Sequence, residues 1–404
     1  MKILVNCFAC SPYKGSEAGM GGNFVKALSR HHELYVITAS QGEIEKYLNG
    51  GEITNTHFYF VDGRHSRLLS TMIKLFPPVY YWWYTHWQKK ALALARGICE
   101  KEAIDIIHQL NMVGYREPGF LYRLNYPIVW GPIGGTTNTP WCMLTHIGLY
   151  GFIFYGSRNL INSFQLRFAR RVRTMISHCD ALVTATQGEH DAFLRHYHKD
   201  SEIISEVGCL VGQTFSRVTT REDGQKLKIA WSGQHTPTKA LNILLEAIAV
   251  SPYRDKIELH VLGYGRYTRK WKNLAEKLKL GDITWYGWLD KKTATEVMGG
   301  AHLFCITSLQ DLTSTVLLEA ISLGLPVMAL NHCGFANVIT DECGIKIGIH
   351  SKKQIIKDYS DAIGRIYESE PYRRKLSEGA LLRAQDYKWE DKAEKLNAIY
   401  EEVK

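Results

Sequence analysis

The sequence contains no low-complexity tract, no fixed-period repeat and no apolar run long enough to cross a membrane. Its most apolar internal stretch, residues 147–155, is far below the ~20 residues that a membrane-spanning helix needs. The apolar residues 3–8 are too few for a secretory signal, and no small-residue cleavage site follows them. We therefore expect a cytoplasmic protein that can rest on the inner face of the cytoplasmic membrane, with residues 3–8 as its first strand.

The nine cysteines are an odd number without an even framework of spacings, which favours reduced thiols. Cys7 and Cys10 form one Cys-x-x-Cys pair, but a zinc site would need a second pair, which the chain lacks. We expect both to be small apolar residues at a strand end, with a redox role as the alternative.

The composition is that of an ordinary soluble protein, with 45% hydrophobic and 22% charged residues. A chain of 404 residues is long enough for two domains. Its net charge of +9 fits contact with a nucleotide diphosphate, a lipid phosphate, a membrane surface or nucleic acid. Simple solvation of the surface is the alternative.

Short β-branched segments alternate with helical ones, are interrupted by a polar stretch, and then resume. This pattern predicts parallel sheets with helices on both faces. The predicted class is α/β, with two doubly wound, Rossmann-like domains whose ligands bind beyond the carboxyl ends of the strands, in the crevice between the domains. The predicted parts are a first domain, a linker, a second domain and a final helix crossing back to the first domain: residues 1–207, 208–226, 227–385 and 386–404.

The most informative segment is Ser308–Ala320, where a predicted strand ends, a polar turn carries Asp311 and a helix begins. A helix start leaves backbone N–H groups unpaired and is partly positive, so it suits a phosphate. Glu319, about one turn inside the helix, can accept two hydroxyl hydrogen bonds, as a ribose diol requires. An acidic helix cap with a solvated glutamate is the alternative.

This segment resembles the Glu-x7-Glu signature of family 4 retaining glycosyltransferases, with Asp311 and Glu319 at the acidic positions and Gly-Leu-Pro-Val after them. The resemblance implies the GT-B fold, with Glu319 on the nucleotide ribose and Asp311 on the donor sugar. Aspartate is one methylene shorter than glutamate, which bears on the identity of the sugar. The residues expected to hold the donor phosphates at the helix start are Leu312, Thr313, Ser314 and Thr315.

Segment 232–240 is similar to the phosphate-binding loop of the family. Lys239 matches the family lysine, whereas Gln234 stands where arginine is common, so one cation is missing. The further donor-binding residues implied by the resemblance are Gly233, Gly263 and Trp288.

The loop between Ser11 and Gly22 resembles the Gly-Ser-Glu-Ala-Gly loop of the family, which implies that Gly15, Gly19 and Gly21 face the donor diphosphate. A flexible turn with tight helix packing is the alternative. Glu17 is expected on the acceptor side. Other first-domain residues with implied roles are His108, near the reacting centre unless it is structural, and Gly134 and Gly135, on the acceptor side.

Two aromatic and basic stretches, residues 68–96 and 141–173, are typical of helices at a bilayer interface. We expect them to touch an anionic membrane surface and admit a lipid-linked acceptor. Packing in the core is the alternative.

No Asp-x-Asp occurs, so nothing indicates a metal on the diphosphate, and we expect no metal, no cofactor and no nucleic acid partner. The resemblance implies transfer of a hexose, with retention, from a UDP- or GDP-sugar to a glycan or polyprenyl-linked oligosaccharide in surface polysaccharide synthesis (O-antigen, capsule or exopolysaccharide). The alternatives are a GT-B epimerase or phosphorylase and a nonenzymatic membrane adaptor. A nicotinamide-dependent oxidoreductase is disfavoured, because no Gly-x-Gly-x-x-Gly motif follows the first predicted strand.

Overall fold

A computed structural model of the chain describes residues 1–11, 15–48, 53–64, 66–76, 78–209 and 218–404. The chain divides into two compact units. The first comprises residues 1–136, 163–208 and 389–404, and the second comprises residues 137–162 and 209–388. Residues 210–217 of the predicted linker lie outside the described residues.

The first unit is built on a parallel sheet of seven strands. The strands Ile106–Asn111 and Ile128–Ile133 are buried along their whole length, as expected for central strands of a parallel sheet covered on both faces. The strands are β1 (Lys2–Cys7), β2 (Glu33–Thr38), β3 (Thr56–Phe60), β4 (Ile106–Asn111), β5 (Ile128–Ile133), β6 (Ala181–Thr184) and β7 (Glu202–Ile203). Their order across the sheet is β3-β2-β1-β4-β5-β6-β7.

The second unit is built on a parallel sheet of six strands. These strands are β8 (Leu227–Ser232), β9 (Ile257–Leu262), β10 (Ile283–Gly287), β11 (Leu303–Ile306), β12 (Val327–Leu330) and β13 (Gly344–Ile347). Their order is β10-β9-β8-β11-β12-β13, so the winding reverses between β8 and β11. Ligands of such sheets bind at the carboxyl ends of the strands at this reversal.

Helices cover both faces of each sheet, and the α/β class with two Rossmann-like domains is confirmed. Among the described residues, no helix is both long and apolar enough to cross a membrane. The α-helices are α1 (Ser16–Leu28), α2 (Gln41–Leu48), α3 (Arg67–Leu75), α4 (Pro78–Lys101), α5 (Trp141–Leu144), α6 (Leu149–Phe168), α7 (Arg170–His178), α8 (Gln187–Tyr197), α9 (Leu241–Val250), α10 (Thr268–Lys277), α11 (Lys291–Gly299), α12 (Thr315–Ser322), α13 (Phe335–Val338), α14 (Lys352–Glu368), α15 (Glu370–Gln385) and α16 (Trp389–Val403). Short 3-10 helices cover Leu121–Leu124, Thr145–Ile147, Pro237–Lys239 and Arg254–Lys256.

Residues 137–162, which the sequence analysis places in the first domain, belong to the second unit. Met143, Leu144, Ile147 and Tyr155 are buried in that unit's hydrophobic core. Their spacing indicates a buried helical segment, but spacing carries no information on which of two sheets the segment covers. Tertiary packing decides that point.

Candidate functional site

Two loops of the second unit bring Lys239 and Asp311 together. Lys239 ends the 3-10 turn after β8, and Asp311 lies in the loop after β11. Lys239 Nζ donates a hydrogen bond to Asp311 Oδ2, and the two side chains are only 23% and 21% exposed. Because β8 and β11 are adjacent and parallel, the loops that follow them meet at one edge of the sheet.

A buried network fixes the turn that carries Lys239. Thr307 Oγ1 donates to the carbonyl oxygen of Lys239 at 2.7 Å, and Trp231 Nε1 donates to Thr307 Oγ1 at 3.0 Å. The amide of Leu309 donates to the carbonyl oxygen of Thr238 at 2.7 Å. No local sequence pattern predicted these hydrogen bonds behind Lys239. The one signal is Trp231, because a buried indole usually finds a partner for its N–H group.

The helix after Asp311 begins in an unusual backbone conformation. Ser314 precedes α12 with φ of +75°, in the left-handed region that non-glycine residues rarely adopt, and its side chain makes no capping hydrogen bond. Such conformations cost about 1–3 kcal/mol and cluster at functional sites. The first amides of α12 therefore suit an anion. Of the neighbouring predicted residues, Thr313 is buried, and Leu312 and Thr315 are half-buried.

Glu319 lies about one turn inside α12, with 36% of its side chain exposed. Burial raises the pKa of its carboxyl group, and Lys291, with Nζ 3.9 Å from Oε1, acts in the opposite direction. Its carboxylate can accept two hydroxyl hydrogen bonds near the start of the helix that follows Asp311.

The glycines of the neighbouring loops serve the packing of those loops. Gly263 has φ of +109°, and a Cβ atom there would lie 2.1 Å from the carbonyl oxygen of Gly233. Gly263 therefore allows a close approach between two loops, and its predicted contact with the donor stays a prediction. Gln234 and Trp288 are exposed, the latter by 71%.

Gln310, beside Asp311, contacts the segment 137–162. Its Oε1 accepts hydrogen bonds from Arg158 Nη1 at 2.6 Å and from Thr139 Oγ1 at 3.3 Å. Nothing in the sequence signals that this segment folds onto the loop after β11.

In the first unit, the structure brings together two of the predicted acceptor-side residues. Glu17 Oε1 accepts a hydrogen bond from the amide of Val113 at 2.6 Å, and the amide of Gly134 donates to the carbonyl oxygen of Val113 at 2.8 Å. Burial raises the pKa of Glu17, and the hydrogen bond from Val113 acts against it. Gly135, next along the chain, is exposed and has φ of +93°.

The predicted glycine loop before α1 is largely helical, because α1 begins at Ser16. Gly19 and Gly21 are buried within α1, and a Cβ atom on Gly21 would lie 2.3 Å from the carbonyl oxygen of Ala9. The close contact at Gly21 favours the alternative of tight helix packing, and donor binding by Gly19 and Gly21 stays a prediction. Gly15 is exposed before the helix, whereas residues 12–14 lie outside the described part of the chain.

His108 is fully buried and bonded at both ring nitrogens. Its Nε2 lies 2.7 Å from the carbonyl oxygen of Gly131, and its Nδ1 lies 2.5 Å from the hydroxyl of Tyr400 on α16. Nε2 therefore donates and Nδ1 accepts. Burial lowers the pKa of His108 to about 4, so the ring is neutral at pH 7. This geometry favours the structural alternative, in which His108 anchors the last helix, and a place for His108 near the reacting centre stays a prediction.

Within the described ranges, no group of three or more His, Cys, Asp or Glu side chains could hold a metal ion. Cys7 and Cys10 are both buried.

Residues 212–383 match the family model described as glycosyl transferases group 1. This part of the chain is a glycosyltransferase group 1 domain. The match confirms the resemblance to glycosyltransferases, and Lys239, Asp311 and Glu319 all lie within the matched residues.

Curated relatives of this glycosyltransferase domain agree with the family. The chain is 26% identical over 252 residues to D-inositol 3-phosphate glycosyltransferase of Saccharomonospora viridis, covering 57% of each chain. It is 35% identical over 112 residues to lipopolysaccharide glucosyltransferase WaaG of Escherichia coli, covering 27% of this chain and 29% of WaaG. The chain thus spans less than two thirds of the length of these relatives.

The solved structure of HepE from Anabaena in complex with UDP has a similar fold, with a TM-score of 0.66 at 13% identity over 100% of both chains. This likeness extends beyond the glycosyltransferase group 1 domain to both units, and it confirms the GT-B fold class.

Proposed function

We propose that this protein is a retaining glycosyltransferase that transfers a hexose from a UDP- or GDP-sugar to a glycan acceptor in cell-surface polysaccharide synthesis. The acceptor in this proposal is lipid-linked. The observation that carries it is the grouping of the Lys239–Asp311 pair, the start of α12 and Glu319 in one unit, at the carboxyl ends of β8 and β11.

In this proposal the donor diphosphate is held by Lys239 and the first amides of α12. These groups offset the negative charge that develops on the departing nucleotide, without a metal ion. A diphosphate draws Lys239 away from Asp311, whose carboxylate then accepts hydrogen bonds from the sugar hydroxyls. The acceptor hydroxyl attacks the anomeric carbon on the face from which the nucleotide leaves. The bond between that carbon and the phosphate oxygen breaks, and the departing phosphate oxygen takes the proton of the acceptor hydroxyl.

Related proteins support the choice of donor and setting. HepE has been solved with UDP and with UDP-glucose, and the name of WaaG describes a lipopolysaccharide glucosyltransferase. Glu17 and Gly134 of the first unit are the proposed acceptor-side residues.

The test of this function is the affinity for UDP, because the proposal places the Glu319 carboxylate on the ribose hydroxyls. Glu319→Ala is expected to weaken UDP binding by about tenfold to a hundredfold, because hydrogen bonds to a charged group contribute about 1.5–3 kcal/mol. Calorimetry with UDP and with 2′,3′-dideoxy-UDP should show that the wild-type protein prefers UDP and that the variant binds both equally.

The matched control is Glu296→Ala, since Glu296 is exposed on α11 in the same unit. Its UDP affinity should equal that of the wild type. Equal weakening by both substitutions, or a preference for UDP that survives in Glu319→Ala, would contradict the role of Glu319. A protein that binds neither UDP nor GDP would be the adaptor. Product formation without an acceptor would indicate the epimerase or phosphorylase.

We also propose that α3 rests on an anionic membrane surface. Leu68, Met72 and Leu75 follow helical spacing on one face of α3 and are 73%, 45% and 81% exposed. Trp82, near the start of α4, is 72% exposed. An apolar helix face with a nearby tryptophan is typical of interfacial helices.

Double substitution Leu68→Asp/Leu75→Asp is expected to lower the fraction of protein that sediments with phosphatidylglycerol vesicles at low salt by at least about threefold. The reason is that two apolar side chains leave the interface and two negative charges face an anionic surface. Leu382→Asp is the matched control, because Leu382 is also 73% exposed but lies on α15. No binding by the wild type, or equal loss in the control, would remove this part of the proposal.

A further inference from the structure

The second unit contains a cavity of about 380 Å³ that Lys239, Asp311 and Glu319 do not line. Helices α9 and α10 form most of its wall, and residues 143–147 close one side. Its volume lies within the range of about 300–1,000 Å³ that is typical of small-molecule pockets. No role in the proposed reaction accounts for it.

The inner wall of the cavity is apolar. Ile243, Trp271 and Leu309 line it and are almost completely buried, at 0%, 1% and 2% exposure. The ring of Tyr267 and the side chain of Leu274 extend this surface toward solvent. These groups suit an aromatic or alkyl body.

Lysine side chains from one face of α10 lie at the rim of the cavity. Lys270, Asn273 and Lys277 follow a spacing of three and four residues, which puts them in a row along the helix. Lys270 Nζ lies 5.0 Å from the centroid of the Tyr267 ring. Neither Lys270 nor Lys277 forms an ion pair within the described part of the chain.

Glu246, the one acidic residue that lines the cavity, is already neutralised. Its Oε2 lies 2.7 Å from Lys352 Nζ, and its Oε1 accepts a hydrogen bond from Asn242 at 3.4 Å. Burial lowers the pKa of His146, the lining histidine, which keeps its ring neutral at pH 7. The lining residues therefore present an excess of positive charge around an apolar interior.

We propose that this cavity binds a small amphipathic anion, with an apolar body against Ile243 and Trp271 and a sulfonate, phosphate or carboxylate group between Lys270 and Lys277. An organic acid with an aromatic or alkyl body has this chemistry. The site is separate from the residues assigned to the nucleotide.

The cavity is coupled to the nucleotide site through its floor, a coupling that rests on the proposed function. Pro237 and Leu309 line the cavity and belong to the two segments that hold Lys239 and Asp311. The amide of Leu309 donates to the carbonyl oxygen of Thr238 at 2.7 Å, so the two segments are joined directly behind Lys239. A ligand that stabilises this floor changes nucleotide affinity, and linkage makes the effect reciprocal.

The probe for the test is 8-anilinonaphthalene-1-sulfonate, an amphipathic anion whose fluorescence rises in apolar sites. Titration should give one saturable site whose Kd rises by about tenfold or more in Lys270→Glu/Lys277→Glu. Asn273→Trp, which blocks the mouth without a change of charge, should have an effect of the same size. Lys272→Glu is the matched control, because Lys272 is exposed on α10, lies 5.6 Å from the Trp285 ring and does not line the cavity. Its Kd should remain within twofold of the wild type.

Equal probe binding in the wild type and in both cavity variants would overturn the site, as would an equal loss in Lys272→Glu. Saturating UDP should change the Kd of the probe by the same factor as the probe changes that of UDP. A Kd of the probe that is the same with and without UDP would overturn the coupling. Failure of the proposed function is distinguishable, because a protein that ignores UDP can still show the cavity-dependent probe binding.

Discussion

Lys239→Ala is expected to lower the rate of sugar transfer by about 10²–10³-fold while the protein remains folded. Removing one preorganised donor to a developing negative charge has an effect of this size. The Lys239–Asp311 pair is partly exposed, and ion pairs of that kind contribute about 0–1 kcal/mol to stability. A loss of stability of that size leaves almost all of the protein folded, so unfolding cannot account for the lower rate of sugar transfer.

The measurement is kcat and KM with a UDP-sugar and, in parallel, the thermal midpoint of unfolding. Lys239→Arg keeps the charge and should retain more activity than Lys239→Ala. Lys292→Ala is the matched control, because Lys292 is an exposed lysine of α11 in the same unit. It should be fully active. Wild-type activity in Lys239→Ala would show that the diphosphate is held elsewhere.

A double-mutant cycle separates the two functions of the pair. If Asp311 contacts the donor sugar, Asp311→Ala should lower kcat on its own and the combined variant should be less impaired than the product of the two single effects. Residues in direct contact behave non-additively in this way. Strict additivity would mean that the contact between Lys239 and Asp311 has no part in donor binding.

Arg373→Ala is expected to lower the free energy of unfolding of the second unit by about 3–5 kcal/mol, the loss typical of breaking a buried ion pair. Arg373 is only 1% exposed on α15, and its Nη2 lies 2.6 Å from Glu370 Oε1. It also donates to Ser377 Oγ at 3.0 Å and to the carbonyl oxygen of Thr219. Truncation removes all of these hydrogen bonds and leaves the Glu370 carboxylate with Arg221 as its partner.

Urea denaturation of Arg373→Ala, followed by tryptophan fluorescence, measures this loss. The matched control is Arg374→Ala, since Arg374 is the neighbouring residue on α15 and is exposed. Its free energy of unfolding should stay within about 0.5 kcal/mol of the wild type, as surface substitutions do. A similarly small change in Arg373→Ala would mean that the buried network contributes nothing to stability.

The residues of the candidate nucleotide site were predictable because each is marked by a local pattern. Lys239 and Asp311 both follow a buried strand, and Glu319 follows a helix start. Parallel strands place such loops at one edge of a sheet, so the order of elements along the chain was enough to bring these residues together.

The packing contacts of Gly21, Gly263 and His108 were not predictable in this way. A glycine that lets two backbones approach has the same sequence appearance as a glycine that admits a ligand. For His108, the deciding contact comes from Tyr400, 292 residues further along the chain. No local pattern carries information on a partner at that separation.

The sequence by itself determined the alternation of strands and helices, the two-sheet architecture and the position of Lys239 and Asp311 in loops that follow strands, because these depend on hydrophobic periodicity and on residue types at strand ends. Only the tertiary structure decided that residues 137–162 pack with the second unit, that Gln310 meets Arg158, and that a charged rim surrounds an apolar cavity beside the loop of Lys239. The physical reason is that burial and contact are properties of surfaces that meet in space, and segments far apart in sequence supply the two sides.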